Sequence, residues 1–345
     1  MRIALLPGDG VGPEVVVQAR RAVDQLGLAL EWTELDWGYA HWCKHGRMMP
    51  ADGIGVLRGH DAILMGAVGH PGVPDTEPLW GLILKIRQDL ALSANLRPAR
   101  LLEGVPCPLG GRGVDEIDML FVRENTEGEY AGVGGRAHRG QPHETAIEVS
   151  VFTRLATEAI MRIALQRASE RSGVLINATK SNASRYGYVF WDEMLAELAP
   201  EFPGVRIERV LVDALCTRMV RDPASIDVVV ASNLFGDILT DLAAAFQGGL
   251  GMAASASIPA GAGGPPLFEP VHGSAPDIAG RGIANPCGAV WSAVLMLEHL
   301  GELEAAAALM GALEHVCRSG PRTADIGGSA TTAEVGDAIV AQLRG

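Results

Sequence analysis

The sequence lacks a long apolar run and has no excess of basic residues. Its longest uncharged stretch, 242–268, is rich in glycine, alanine, serine and proline, so it predicts a helix end and loops rather than a membrane-spanning helix. Forty-one acidic residues against 28 basic ones give a net charge of −13. Because this charge repels phosphate backbones and anionic lipids, we expect neither nucleic acid nor a membrane as a partner.

Paired cysteines and an N-terminal export signal are also missing. The five cysteines are an odd number, lie far apart and include no CxxC pair, which argues against a disulfide framework or a thiolate metal site. A run of only four apolar residues precedes Pro7, too short for a secretory signal. We therefore expect a protein of the reducing cytoplasm.

Short apolar runs that alternate with helix-like segments predict an α/β fold. The length of 345 residues suggests two domains, at roughly 150 residues per domain. Runs apolar on both faces are typical of a largely parallel sheet covered by helices. They occupy residues 3–6, 62–68, 119–122, 174–176, 210–212 and 228–231. The segment 132–139 is rich in glycine and charge, which predicts an exposed hairpin whose partner could be another subunit.

The first strand runs into GDGVGPE (8–14), which predicts a tight strand-to-helix turn. Its glycines allow close backbone geometry, and Pro13 and Glu14 suit a helix's first turn. A ligand could approach this turn closely, or the turn could be purely structural. The glycine spacing does not match the GxGxxG fingerprint of a Rossmann unit.

Asp237 and Asp241 lie four residues apart on a helix predicted over 237–246. This spacing places both carboxylates on one face, where a cation would offset their repulsion. Oxygen ligands without histidine or cysteine favour Mg²⁺ or Mn²⁺ over Zn²⁺. Asp213 follows an apolar run and could add a third carboxylate or cap the next helix. The alternative for the pair is two solvated helix carboxylates.

Three arginines, Arg87, Arg97 and Arg123, stand in otherwise apolar surroundings. Guanidinium groups bind carboxylates through paired hydrogen bonds, so the three could hold a dianionic substrate, or each could form an intramolecular ion pair. Lys180 follows a buried strand and could serve as a general base, while Tyr130 could donate a proton. Their structural alternatives are a lysine that extends to solvent and a tyrosine that only packs.

The string LFEPVHGSAPDIAGRGIANP (267–286) predicts a loop of small residues that could wrap an adenosine. Asp277 would accept hydrogen bonds from the ribose hydroxyls and repel an added 2′-phosphate, which favours NAD over NADP. A lone histidine in such a loop, His272, could equally be structural.

Together these strings resemble the metal-dependent β-decarboxylating dehydrogenases, which act on isopropylmalate, isocitrate, homoisocitrate, tartrate or D-malate. The likeness covers nearly the whole chain, and its most specific parts are the 268–286 loop and NLFGDILTD. The matching strings are GDGVGPE (8–14), ANLRP (94–98), VRENTEGEY (122–130), TKSN (179–182), SNLFGDILTDL (232–242), FEPVHGSAPDIAGRGIANP (268–286) and DIGGSA (325–330).

The resemblance implies an isopropylmalate dehydrogenase-like fold of two domains with mixed sheets rather than a Rossmann fold. Residues 1–93 and 249–345 would form the first, cofactor-binding domain. Residues 94–248 would form the second domain, which carries the dimer contact and the metal and substrate groups. The family assembles as dimers or larger oligomers, so we expect a homodimer in which Lys180 and Asp213 reach the neighbouring active site.

Residue roles follow from the same resemblance. Tyr130 and Lys180 match the acid/base pair, and Asp213, Asp237 and Asp241 match the ligands of Mg²⁺ or Mn²⁺. The substrate-binding positions are Ile83, Arg87, Arg97 and Arg123. The NAD-binding positions are Glu269, His272, Gly273, Ser274, Ala275, Asp277 and Asn285. The family also leaves room for a monovalent cation.

The implied reaction is NAD-dependent oxidation and decarboxylation of a small 2-hydroxy dicarboxylic acid. The segment PLWGLILKIR (78–87) would contact the substrate's C3 group, and its apolar residues disfavour a third carboxylate, hence isocitrate and homoisocitrate. Together with GVPCPL (104–109), it favours D-malate or tartrate. The alternative is 3-isopropylmalate, which Ile83 could accommodate, and the remote alternative is a non-catalytic regulatory subunit. SRYGYVFWDE (184–193) departs from the family's usual strings.

Overall fold

The computed structural model describes residues 1–344, in which strands and α-helices alternate along most of the chain. The strands are β1 Arg2–Gly8, β2 Glu31–Glu34, β3 Ala62–Ala67, β4 Ala94–Arg100, β5 Asp118–Glu124, β6 Gly128–Ala137, β7 Thr145–Val151, β8 Val174–Thr179, β9 Arg206–Leu211, β10 Val228–Ala231, β11 Ala254–Ile258 and β12 Leu267–Pro270.

Five of the twelve α-helices in residues 1–344 follow a strand directly or after a short loop. The twelve are α1 Gly12–Asp24, α2 Tyr39–His45, α3 Gly53–Leu57, α4 Thr76–Pro78, α5 Leu84–Asp89, α6 Arg154–Ser169, α7 Gly187–Leu198, α8 Val212–Arg221, α9 Asn233–Phe246, α10 Cys287–His299, α11 Leu303–Ser319 and α12 Thr332–Arg344. The five that follow a strand in this way are α1, α2, α6, α8 and α9. One π-helical stretch, Leu79–Ile83, joins α4 to α5. None of the helices in the described part of the chain has the length and apolar character that a bilayer crossing requires.

Ten strands form one mixed sheet in the order β2-β1-β3-β12-β11-β4-β5-β10-β8-β9. Neighbours are parallel on both flanks, whereas β11 and β4 pair antiparallel with each other and with the strands beside them. The α/β prediction is therefore confirmed, with a mixed sheet and the expected parallel character. Every residue of β3 and β10 is buried, as their continuous apolar runs predict.

Two local predictions are wrong. The stretch 242–268 contains a buried strand, β11, and the first residues of β12, not only a helix end and loops. Helix α9 begins at Asn233 rather than at 237, because Ser232 has the extended backbone of an N-cap residue. This earlier start places Asn233 on the same face as Asp237, one turn away.

The predicted exposed hairpin is the antiparallel pair β6–β7, which forms a separate two-stranded sheet. Val133 pairs with Val149, and Ile147 lies two residues further along β7 on the same face. In the single chain, Val133 is 47% exposed, Val149 is 41% exposed and Ile147 is 59% exposed. The hairpin therefore presents an apolar face that the described residues do not cover.

Candidate active site

Strands β4 and β5 bring two of the predicted arginines to one face of the sheet. Asn95 pairs with Arg123 across the antiparallel ladder, and Arg97 lies two residues beyond Asn95 on the same face. Both guanidinium groups are nearly fully buried, with Arg97 6% and Arg123 3% exposed. Asp237 of α9 accepts a hydrogen bond from each of them, at 3.4 Å from Arg97 Nη1 and closer from Arg123 Nη1.

Uncharged side chains hold the two guanidinium groups in place. Arg97 donates to Oδ1 of Asn95 and to Oγ1 of Thr240, both at 2.6 Å. Arg123 donates to Oδ1 of Asn233 at 3.1 and 2.8 Å. The orientation of both arginines is therefore set before any ligand binds.

Arg87 reaches the same region from α5 and forms a buried ion pair with Glu269 of β12. The distance from Nη2 to Oε1 is 2.6 Å, and neither side chain is more than 8% exposed. The Nε of Arg87 is buried and has no hydrogen-bond partner within residues 1–344. A cavity of about 120 Å³ lies here, and its lining includes Ile83, Arg87, Arg97, Glu269 and His272. Each arginine thus has an intramolecular partner, yet Arg87 keeps one donor free.

The site balances three guanidinium groups against three carboxylates: those of Asp237, Asp241 and Glu269. Burial opposes the ionisation of Asp237, but Arg123, Arg97 and Arg87 together bring the pKa of its carboxyl below the ordinary value. Burial and the charge of Asp237 raise the pKa of Asp241. Burial and the charges of Asp237, Arg97 and Arg123 act on Asp241, but no side chain within residues 1–344 hydrogen-bonds to it, so its carboxylate is available to a ligand.

Tyr130 of β6 lies against this cluster. Its hydroxyl donates to Oδ2 of Asp237 at 3.4 Å, and the Arg123 guanidinium lies 5.8 Å from its ring centre. Burial and the negative charge of Asp237 raise the pKa of Tyr130, so the phenol keeps its proton at neutral pH. The structure thus brings Tyr130 to the arginines and Asp237.

Lys180 and Asp213 form a separate pair. Nζ of Lys180, just after β8, lies 2.6 Å from Oδ1 of Asp213, and this hydrogen bond lowers the pKa of the Asp213 carboxyl. Asp213 is the second residue of α8, whose N-cap is Leu211, so the alternative that Asp213 caps the helix is wrong. Neither residue bonds to Asp237 or Asp241 in residues 1–344, and that range holds no cluster of three metal-binding side chains.

The glycine turn after β1 packs against the predicted cofactor loop. The N–H of Val11 donates to the carbonyl of Ser274 at 2.9 Å, and Gly10 has a φ of +59° that suits glycine. Asp9 accepts from the backbone N–H of Tyr39 at 2.8 Å and of Gly69 at 3.0 Å. The turn is therefore hydrogen-bonded to three other segments of the chain, at Tyr39, Gly69 and Ser274.

Within the cofactor loop the predicted residues differ in their surroundings. Nδ1 of His272 lies 2.9 Å from the carbonyl oxygen of Gly273, and its buried Nε2 has no partner in the described chain. Asn285 is buried and donates to Asp325 at 3.0 Å. Ala275 has a positive φ of +41°. The side chain of Asp277 is exposed to solvent. His272 also lines the cavity, so the loop and the arginine cluster are contiguous.

Sequence reasoning assigned no role to Asn95, Asn233 or Thr240, which orient the arginines. The signal for Asn233 was present, because a helix begun after Ser232 would place Asn233, Asp237 and Asp241 on successive turns of one face. Asn95 lies two residues before Arg97, and this spacing places both side chains on one face of a strand.

Comparisons with known proteins find relatives and a solved structure that match almost the whole chain. A family model described as isocitrate/isopropylmalate dehydrogenase matches residues 2–339. A probable tartrate dehydrogenase/decarboxylase of Agrobacterium vitis is 49% identical over 100% of this chain and 98% of its own length. A decarboxylating D-malate dehydrogenase of Escherichia coli is 46% identical over 98% and 97% of the two chains. The crystal structure of isocitrate dehydrogenase from Methylococcus capsulatus matches with a TM-score of 0.91 at 35% identity, covering 100% and 99%.

Proposed function

Because the chain belongs to the isocitrate/isopropylmalate dehydrogenase family, we propose that it oxidises and decarboxylates a small 2-hydroxy dicarboxylic acid with NAD⁺ as electron acceptor. The relatives support the general activity, a decarboxylating dehydrogenase that acts on a hydroxy acid. The observation that carries the substrate class is the unpartnered, buried Nε of Arg87 beside the cavity. A buried guanidinium donor without a partner is costly, and a substrate carboxylate would satisfy it.

Charge balance supports a dianionic substrate bound together with a divalent cation. The three buried arginines are already offset by Asp237, Asp241 and Glu269, so a dianion alone would leave the site with excess negative charge. A dication beside Asp237 and Asp241 restores the balance. Arg87, Arg97 and Arg123 then orient the two carboxylates of the substrate.

The donor set fits Mg²⁺ or Mn²⁺ when two copies of the chain combine. Asp237 and Asp241 present oxygen ligands on successive turns, and the raised pKa of Asp241 reflects burial and a repulsion that a cation would relieve. One chain supplies only these two, and we propose that Asp213 of the partner subunit supplies the third. A bound metal would polarise the substrate's hydroxyl and carboxylate oxygens, and bound NAD⁺ would accept the hydride.

Two side chains move protons in this proposal. The neutral amine of Lys180 of the partner subunit would accept the proton of the C2 hydroxyl as the hydroxyl is oxidised, and the partner's Asp213 would be free for the metal. Tyr130, protonated because its pKa is raised, donates a proton to the carbon that loses CO₂. The hydrogen bond from its hydroxyl to Asp237 supports this role, because Asp237 also pairs with Arg97 and Arg123.

The 272–285 loop and the glycine turn form the proposed NAD site. The Val11 to Ser274 hydrogen bond fixes the two loops against each other, and the buried Nε2 of His272 is free to bond a ligand. Exposed Asp277 would accept from the adenosine ribose and repel a 2′-phosphate. Both loops belong to the proposed first domain, residues 1–93 and 249–345. The five strands of this domain are neighbours in the sheet, in the order β2-β1-β3-β12-β11.

A homodimer or larger assembly follows from the same proposal. The apolar face of the β6–β7 hairpin suits burial against a second copy, and residues 94–248, the proposed second domain, carry it. Lys180 and Asp213 belong to the same range, and within residues 1–344 they form no metal-binding cluster with Asp237 and Asp241. Dimerisation would therefore be required to complete each active site.

D-malate or tartrate is the proposed substrate, with 3-isopropylmalate as the alternative. Ile83 lines the cavity next to Arg87, so the wall near the substrate's C3 is apolar and offers no partner for a third carboxylate. Ile83 is the last residue of the π-helical turn Leu79–Ile83 and forms part of this wall. The test is kcat/KM with NAD⁺ and Mn²⁺ on D-malate, L-tartrate, 3-isopropylmalate and isocitrate, with CO₂ release measured in parallel. Activity on none of these, or equal activity on isocitrate, would contradict the proposal.

A further inference from the structure

Tyr188 lies in the segment 184–193, which departs from the family's strings, and it makes two short hydrogen bonds beside the site. Its side chain is 4% exposed and belongs to α7. The hydroxyl donates to Oε1 of Glu129 at 2.7 Å and lies 2.6 Å from Oγ of Ser232. The ring stacks on Phe235 with centroids 4.7 Å apart. Burial and the charge of Glu129 raise the pKa of Tyr188, so the hydroxyl remains a donor.

Glu129 connects this tyrosine to helix α9. Its Oε2 accepts from the backbone N–H of Leu234 at 3.2 Å, in the first turn of α9, where the helix dipole favours an anion. The β6–β7 register shifts between Gly128 and Val133, so Glu129 and Tyr130 lie in an irregular part of the ladder. Side-chain anchors must therefore hold this stretch, since regular ladder pairing does not.

We infer that Tyr188 is a positioning residue that acts through Glu129 to hold Tyr130 against Asp237. Glu129 is fixed at the start of α9, and Asp237 projects from the next turn of the same helix, where it accepts the hydrogen bond of Tyr130. The Tyr188 hydroxyl holds the Glu129 carboxylate in this place. The inference rests on the proposed function, in which Tyr130 is the proton donor.

The substitution Tyr188→Phe tests the link, because it removes one oxygen and keeps the ring that stacks on Phe235. With the best substrate of the panel, NAD⁺ and Mn²⁺, we expect kcat to fall about tenfold and KM to change less than about twofold. Tyr186→Phe is the matched control: Tyr186 is 79% exposed and should leave both constants unchanged. An unchanged kcat in Tyr188→Phe, or an equal effect of the control, would overturn the inference.

A double-mutant cycle with Tyr130→Phe separates positioning from general structural support. If Tyr188 acts through Tyr130, adding Tyr188→Phe to Tyr130→Phe should lower kcat no further. Multiplicative losses would overturn the inference while leaving the proposed function intact. A Tyr130→Phe enzyme with normal kcat would instead refute the proposed proton donor, and the inference with it.

Should Tyr188→Phe fold poorly, Glu129→Gln tests the same link from the other side. A glutamine cannot accept hydrogen bonds at both the Tyr188 hydroxyl and the Leu234 N–H, because its amide nitrogen has no acceptor capacity. The same fall in kcat and the same absence of a further loss in the Tyr130→Phe background are expected. A multiplicative loss here would also overturn the inference.

Discussion

Arg87 and Glu269 form a buried ion pair, with 2.6 Å between Nη2 and Oε1, that joins helix α5 to strand β12 at the cavity. Glu269→Gln would leave the Arg87 charge buried without its carboxylate, so we expect a loss of about 3 kcal/mol in the free energy of unfolding. Glu314→Gln is the control, because Glu314 pairs with Arg100 on the surface and should contribute less than about 1 kcal/mol. Denaturant unfolding of both variants measures the difference, and equal losses would contradict the role of burial.

Asp237→Asn should abolish metal-dependent turnover while the fold persists. The amide keeps an oxygen for Arg123 but loses the charge that a divalent cation requires. We expect Mn²⁺ to bind at least about 100-fold more weakly, measured by isothermal titration, together with an unchanged circular dichroism spectrum. Asp115→Asn, an exposed aspartate in a 3₁₀ turn, should behave like the wild type. Full activity of Asp237→Asn without added metal would rule out the ligand assignment.

Asp277→Lys should shift the cofactor preference towards NADP⁺. Reversing the charge of this exposed residue replaces repulsion of the 2′-phosphate by attraction, which is expected to change the NAD⁺/NADP⁺ ratio of kcat/KM on the order of tenfold or more. Glu304→Lys, the same change of charge on α11, controls for the altered net charge. If the two variants show the same ratio as the wild type, Asp277 does not discriminate between the cofactors.

His272 should make stability depend on pH below neutrality. Burial lowers its pKa below 6.5, so the unfolded chain takes up this proton at a higher pH than the folded chain. The stability that this residue contributes is present above pH 6.5 and is lost as the pH falls towards the lowered pKa. His272→Gln should flatten the fall of the thermal midpoint measured from about pH 8 to about pH 5.

Other groups contribute to the same pH profile, so the comparison needs a control. Burial also lowers the pKa of His299, but that residue is present in both proteins and its contribution cancels. His45→Gln removes an exposed histidine of α2 and should keep the wild-type slope. If the thermal midpoint of His272→Gln falls with pH as steeply as that of the wild type, protonation of His272 does not oppose folding.

The sequence predicts the strands whose apolar runs are buried on both faces, such as β3 and β10. It misses β11, because the short ASASI segment has small, partly polar residues and is a strand only through its antiparallel neighbours β4 and β12. Propensity and periodicity describe a segment's own preference, whereas the pairing of β11 depends on partners far away in the chain.

The same distinction holds at the site. The resemblance predicts site roles for the arginines and aspartates, and the structure brings Arg97, Arg123, Asp237 and Tyr130 together. The sequence does not reveal which carboxylate pairs with which arginine, because the two partners can lie far apart in the chain. Arg87 and Glu269 are separated by 182 residues. A helix predicted to start at 237 leaves out Asn233, and the Tyr188 link lies in a segment, 184–193, that departs from the family's usual strings.

Replacing Gly236 by alanine should lower the stability of the fold, whereas the same change at an ordinary helix glycine raises it. In a helix interior, glycine to alanine usually stabilises by about 1 kcal/mol. A Cβ at residue 236 would lie 2.5 Å from Cγ and 2.7 Å from Cβ of Arg123, whose stem packs against α9 there. Gly236→Ala must therefore displace Arg123 from Asn233 and Asp237, and we expect lower stability and a kcat/KM reduced at least about tenfold. Gly311→Ala in α11 is the control, since within residues 1–344 a Cβ there meets no atom within 4 Å apart from the nearby backbone of its own helix, and it should raise the thermal midpoint without affecting activity. If both alanine variants are stabilised and active, close packing of Arg123 against α9 is not what orients its guanidinium.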